Sequence, residues 1–479
     1  MFKKYHNLLI NNVNTLSTKL SNTVSSRWFL KFTLLLFLVQ SSFYALSIAY
    51  GVPPDERYHF DLIQFFISNN FIPIITNQES YFHLGEITRI PYILYHYLLS
   101  FPLALLSNFS QEIQVIGLRF MNILMALGSL LMLSKIGDLL KLSRFTTNLS
   151  IFIFSGAMMF TFLAGAINYD NLVILLGFLS LFIMLKLIKE KRPVDLMLWV
   201  VISLAGLLTK VTYIPILAAQ ALVVIFMLKK EVFQIAFNWV KSFNQAKYLN
   251  ITLILLATIL LIGLSRTYIL NMITYGDYAP SCVEVHTHEQ CLDHGIYQRS
   301  LMLDERDLEG FQPRLSEFAV KWARQMASGT FGTLSHNSLQ PFKPVVIAMA
   351  VLVSILIVTT VTKLNYRNKI LMGVLFIAVL YLIVLVHRNF GIYENRGRLI
   401  ATQGRYLFPV LPLFYMIGLS CLEKLKYSKV LKLIIVALIV PLFLAGNVAT
   451  YIYYSDASHY SPIGINVYEF IRNIIYYMF

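Results

Sequence analysis

Residues Phe29 to Phe60 read FLKFTLLLFLVQSSFYALSIAYGVPPDERYHF. An α-helix needs about 20 mostly apolar residues to cross the hydrocarbon core of a membrane, and Phe29 to Tyr50 supplies them. Pro53 and Pro54 end that helix and suit the first turn of another. Asp55 and Glu56 are then expected in this first turn, where the helix dipole favours their ionised forms. His59 follows Asp55 by four residues, so both side chains project from one helix face. The stretch is either the catalytic end of a membrane enzyme or a proline-capped loop with acids for solubility. The rest of the chain must decide.

Its composition places it in a membrane. Of 479 residues, 57% are hydrophobic, 14% aromatic and 13% charged, with a mean hydropathy of +0.66. Soluble domains carry roughly 25% charged residues. The net charge of +15, from 39 Lys and Arg against 24 Asp and Glu, fits basic cytoplasmic loops and does not point to nucleic acid. The first 28 residues are polar and basic, without the pattern of a cleaved leader.

Apolar runs and the positive-inside tendency predict about eleven spans with the N-terminus inside. Phe29–Tyr50 is the first span, and an outer loop spans residues 51–114. Within that loop, Pro91 to Ser107 is apolar, aromatic and interrupted by Pro102, and reads as an interfacial or re-entrant helix. Val115 to Gly137 returns inside to Lys135, Lys141 and Arg144. Asn148 to Leu185 reads as two helices broken at Asn168–Asn171, and Leu196 to Leu228 as two broken at Thr209–Thr212. Leu249–Leu270, Pro344–Thr362, Ile370–Val386, Tyr406–Leu422 and Val430–Thr450 complete the set. The aromatic tail, residues 451–479, is expected outside, lying along the interface. The whole chain reads as one transmembrane domain, all-α and polytopic.

Residues 271–343 form a second outer loop, with nine acids against six bases. It holds Cys282 and Cys291; the third cysteine, Cys421, ends an apolar run. An outer, oxidising compartment permits a disulfide, which is the expectation for this pair. The spacing of His286, His288, Cys291 and His294 offers a weaker zinc alternative.

The middle of nearly every predicted span carries no ionisable residue, which argues against a proton-coupled transporter with midplane carboxylates. Charges gather instead at the outer ends: Asp55, Glu56, Asp170, Lys210 and a loop with Arg388, Arg396, Arg398 and Arg405. Arginine's planar fork suits bidentate phosphate binding, although contact with phospholipid head groups would also explain such a loop. Gly404, before Arg405 and Tyr406, is expected to let the backbone approach a ligand closely. Lys210 reads as a phosphate ligand or a snorkelling lysine. Asp170, in Asn168–Tyr169–Asp170–Asn171, reads as a substrate-orienting residue or a turn residue.

PPDERYHF, INYDN, LLTKVTYIPIL and QGRYLFPVLPLF occur in this order. Together they resemble a bacterial membrane-protein family of unknown function, domain-of-unknown-function family 2142, over about residues 30 to 450. That family is similar to the GT-C superfamily, whose members use polyprenyl-phosphate sugars on the outer face of the membrane. The resemblance implies a GT-C-like fold in the cytoplasmic membrane of a bacterium, with its site facing the periplasm or exterior. It puts Asp55 and Glu56 at the place of the catalytic acidic motif. The family more usually has Pro and Ala where this chain has Arg57 and Tyr58, a departure that bears on acceptor specificity.

The implied reaction moves a sugar from a polyprenyl-phosphate donor to a cell-envelope glycan or lipid acceptor. Asp55 would be the general base, with Glu56 and His59 orienting it or the acceptor. Lys210, Arg396, Arg398 and Arg405 would hold the donor phosphate, while Asn168, Asp170 and Tyr406 orient the substrate. A divalent cation shared with Asp170 is a further option, with membrane lipids as the surrounding partners. The competing expectations are a polysaccharide polymerase or ligase, and a lipid-linked glycan flippase or transporter.

Overall fold

The structure is a computed structural model. It describes residues 2–71, 93–277, 280–292, 297–298, 301–302, 311–332, 343–400, 402–445 and 447–478. Among these residues the chain is helical, with no β-strand beyond an isolated antiparallel bridge between Ile48 and Tyr460. Parts of the first and second outer loops, residues 72–92, 293–296, 303–310 and 333–342 among them, lie outside the described residues.

Among the described residues, seven helices are long and apolar enough to cross a membrane: Arg27–Ser47, Gln111–Leu139, Asp170–Glu190, Val211–Leu228, Phe243–Tyr275, Pro344–Lys363 and Lys369–Arg396. An eighth crossing results if Arg144–Ser155 and Met158–Ala164, bent by 71° at their junction, count as one. Large side chains such as Phe226, Tyr248, Ile259 and Val358 are exposed at 71%, 87%, 64% and 61%. A soluble surface rarely exposes so many large apolar side chains along its helices. In a bilayer they face lipid.

The helices depart from the predicted runs where a run is too short or is broken. Pro193–Leu207 and Leu411–Leu422 are apolar but have only 15 and 12 residues. Each adjoins a single 3₁₀ turn, Val211–Tyr213 in one case and Gly404–Leu407 in the other. The second helix starts at Leu411, not Tyr406, with Pro412 in its first turn. The bend before Met158 was not anticipated. Ala157 is extended there, and the Thr161 hydroxyl donates to the Ser155 carbonyl freed by the break. Gly165 lets this element meet the helix Arg27–Ser47, since a Cβ there would lie 2.7 Å from the Ser41 carbonyl. The interfacial stretch forms the helix Leu94–Leu105 with Pro102 inside it, and its first amide donates to the Leu208 carbonyl.

The turn that follows the first span is held by Arg119, a buried base in the helix Gln111–Leu139. Its Nε and Nη2 donate to the two Glu56 oxygens at 2.8 and 2.7 Å. Its Nη1 donates to the carbonyls of Ala45 and Ile48, and Nη2 also to that of Ala49. All five guanidinium donors are therefore used. Glu56, fully buried, also accepts from the backbone amides of Gly51 and Ile167. The tail joins the same turn: Ala49 N–H donates to the His459 carbonyl and Ser461 N–H to that of Ser47.

Removing one partner of a buried ion pair strands the other charge and costs about 3–5 kcal/mol. Glu56→Ala and Arg119→Ala should each lower the melting temperature and monodisperse yield of detergent-purified protein. Arg119→Lys should rescue little, because an ammonium cannot reproduce a five-donor fork. A stable Glu56→Ala protein would remove this clamp from its central structural role.

Candidate functional site

Asp55 precedes the helix Glu56–Ser68 as its N-cap and adopts a left-handed conformation, φ 63° and ψ 7°, with no capping bond from its side chain. It was expected inside the first turn. The positive φ, uncommon outside glycine though tolerated by Asp, instead turns its carboxylate away from the helix and onto Arg405. Arg405 Nη2 lies 2.8 Å from Asp55 Oδ2, and its Nε lies 3.4 Å from Asp170 Oδ2. Lys210 Nζ lies 2.5 Å from the other Asp170 oxygen, Oδ1. Four charged residues from four chain segments thus form one linked group, Asp55–Arg405–Asp170–Lys210.

The two bases are buried, as is Asp170, whereas the Asp55 side chain is 37% exposed. Asp55 is therefore the acid that a second molecule can reach. Burial would depress the Lys210 ammonium, but Asp170, then Tyr169 and Tyr406, outweigh it and hold the group above the usual lysine range. Its nitrogen sits 4.2 Å from the Tyr169 ring centre and 5.0 Å from that of Tyr406, within cation–π distance. Burial acts on Arg405 in the same sense and is offset by Asp170, Tyr406 and Asp55. Both bases stay charged.

Local sequence explains how each group is held. Asn168 Oδ1 accepts from the Asp170 amide, an Asx-type turn, while its Nδ2 donates to the Pro54 carbonyl. Asn168 thus positions Asp170 and ties the 168–171 turn to the proline stretch. The Tyr381 hydroxyl donates to the Tyr406 carbonyl. Gly404 meets the helix Leu315–Phe331 backbone to backbone: a Cβ there would lie 2.3 Å from the Thr330 nitrogen. The close approach that Gly404 permits is made to the backbone of Gly329 and Thr330, not to a ligand as the sequence suggests.

The predicted residues separate into those in the charged group and those around it. Asp55, Asp170, Lys210 and Arg405 converge, with Asn168 and Tyr406 around them. Glu56 turns away into the Arg119 clamp. Arg396 ends its helix half-buried, and Arg398 is exposed two residues later. The bases gathered on the two acids are Lys210 and Arg405. Cys282 and Cys291 form a disulfide with Cα atoms 6.0 Å apart.

A divalent cation fits this group poorly. No cluster of three or more His, Cys, Asp or Glu suited to a metal occurs among the described residues. Moreover, both carboxylates of the group already face cationic side chains, which would repel a metal ion.

His96 and Arg119 were missed. His59 Nδ1 lies 2.9 Å from His96 Nε2, and the His59 ring packs 4.6 Å from Tyr169. Arg119 is a base within an apolar run, a signal that could have found it; His96 had only its place in an aromatic stretch. Several buried polar atoms here have neither a hydrogen-bond nor an ion-pair partner among the described residues: His59 Nε2, Thr402 Oγ1, Gln403 Oε1 and Arg405 Nη1. Such atoms are rare in folded proteins and call for an explanation. Their concentration beside one charged group suits a polar ligand.

Compared with protein-family models and with curated proteins, the chain matches none.

Burial pushes the His59 pKa down to about 3, opposed by Asp55 and helped by Arg405 and Lys210. Unfolded His59 takes up a proton below about 6.5, while the folded one stays neutral nearly to pH 3. The stability present above 6.5 is therefore lost progressively as pH falls, by up to about 1.4 kcal/mol per unit. The melting temperature in detergent should drop from pH 6.5 to 4.5, and His59→Gln should flatten that slope. An unchanged slope would place the responsible group elsewhere.

Proposed function

We propose that the chain is a membrane glycosyltransferase, similar to the GT-C superfamily, that moves a sugar from a polyprenyl-phosphate donor to a cell-envelope glycan or lipid acceptor. The observation that carries this reading is the convergence of a reachable carboxylate, Asp55, with two buried bases, Arg405 and Lys210. Catalytic and binding groups must meet at one reacting centre. The proposed setting is the outer face of a bacterial cytoplasmic membrane. About eleven crossings are proposed, with the shorter apolar helices counted beside the long ones and the N-terminus inside.

On this reading the site is neutral before the donor arrives, two acids against two bases. The donor phosphate competes with Asp55 for Arg405, whose planar fork matches phosphate oxygens. Asp55, released from its ion pair, accepts the proton of the attacking hydroxyl or amine. A bond forms from that acceptor atom to the anomeric carbon. The bond from this carbon to the phosphate oxygen breaks, and its electron pair leaves on the polyprenyl phosphate. Lys210 and Arg405 stabilise the charge that develops on the departing phosphate. Asp170 keeps both bases aimed at it. No step passes through a metal.

General-base catalysis typically contributes about 10²- to 10⁴-fold. Asp55→Asn should reduce sugar transfer by that order, with membrane insertion and melting temperature retained. Arg405→Ala should impair donor use more than Arg388→Ala. The assay is mass spectrometry of surface glycan and lipid-linked sugars in a strain lacking the gene, complemented with each variant. Normal glycan from Asp55→Asn would end the base assignment, and equal mild effects of the two arginine variants would mean ordinary lipid contact.

A further inference from the structure

A cavity of about 280 Å³ lies at the same end of the helices as Asp55, between residues 46–50, the first turns of Gln111–Leu139 and residues 460–462 of the tail. None of Asp55, Asp170, Lys210 and Arg405 lines it. Its walls are largely apolar, from Leu46, Ile48, Val115, Ile116 and Pro462. Glu112 also lines it, and one of its carboxylate oxygens, Oε1, is buried with no hydrogen-bond partner among the described residues. Arg119 lines the cavity too but cannot serve Glu112, because its five donors are committed to Glu56 and to the backbone of Ala45, Ile48 and Ala49.

A desolvated carboxylate oxygen calls for a charged donor. A small hydrated cation would satisfy it but leave the apolar walls uncovered. An ammonium carried on an amphiphile satisfies both. At about 30 Å³ per water-sized group, the space admits about nine such groups, the size of a phosphoethanolamine. Beside it, Ile463 and Val467 of the tail helix Pro462–Met478 are exposed at 51% and 41%, giving acyl chains a surface to lie on. We infer that this cavity binds the head group of an ethanolamine phospholipid, with Glu112 accepting from its ammonium. The inference does not rest on the proposed reaction.

The test is native mass spectrometry of the full-length protein titrated with phosphatidylethanolamine and with phosphatidylcholine, whose trimethylated nitrogen donates no hydrogen bond. Hydrogen bonds to charged groups contribute enough for roughly tenfold or more in affinity. The wild type should prefer the ethanolamine lipid by at least that factor. Glu112→Gln, nearly the same shape, should lose the preference, and Ile116→Trp, which fills the cavity, should reduce binding of the lipid. Should Glu112→Gln fail to fold, Glu112→Asp supplies the same comparison and should weaken the preference. Equal binding of both lipids by the wild type, or an unchanged preference in the Glu112 variant, would overturn the inference. Displacement of the lipid by free glucosamine would overturn the choice of a lipid as the source of the amine.

Discussion

The five-donor clamp of Arg119 is the interaction on which the rest of the site depends. It collects three carbonyls at the end of the first span and both oxygens of Glu56. Glu56 in turn fixes the amides of Gly51 and Ile167. Asp55 is the neighbour of Glu56, and Asn168 the neighbour of Ile167, so one buried ion pair sets the positions of both acidic segments. A buried pair is weak evidence for net stability. Its value here is positional, since breaking it would free the turn that carries Asp55 in a left-handed conformation.

The charged group that this clamp positions is balanced, and balance has consequences. Lys210 is held by Asp170 and two aromatic faces; Arg405 bridges Asp170 and Asp55. Of these contacts only Asp55–Arg405 involves a partly exposed acid, so an incoming anion would displace that contact first. In the proposed reaction the displacement frees the base as the phosphate binds, which links donor binding to activation of the acceptor. Arg405 Nη1, buried and without a hydrogen-bond partner among the described residues, shows that Asp55 and Asp170 do not exhaust its fork.

The class of fold was legible because apolar length is a local property: composition and run lengths point to helices in a membrane. Charges are scarce in such a chain, so Asp55, Asp170, Lys210 and Arg405 stood out as positions. Their partners did not. Asp55 and Arg405 are 350 residues apart, and Glu56 and Arg119 are 63 apart, separations that no periodicity reveals. Glu56 therefore read as a companion of Asp55, when its side chain belongs to the clamp. The contact of Gly404 with Gly329 was hidden for the same reason, as was the 71° bend before Met158, which depends on what packs around it.

The bases sit where helices stop. Lys210 lies between Pro193–Leu207 and the 3₁₀ turn Val211–Tyr213, and Arg405 lies within the turn Gly404–Leu407. Irregular backbone at membrane depth is tolerated only where it is buried in protein or lines a polar cavity. Continuous helices through these points would satisfy their own backbone groups but would carry both bases on fixed helical faces. Breaking them lets Lys210 and Arg405 reach Asp170 from different directions. The short helices that fall below spanning length are thus the same elements that assemble the charged group. The breaks in these apolar runs and the assembly of the charged group are thus one structural feature.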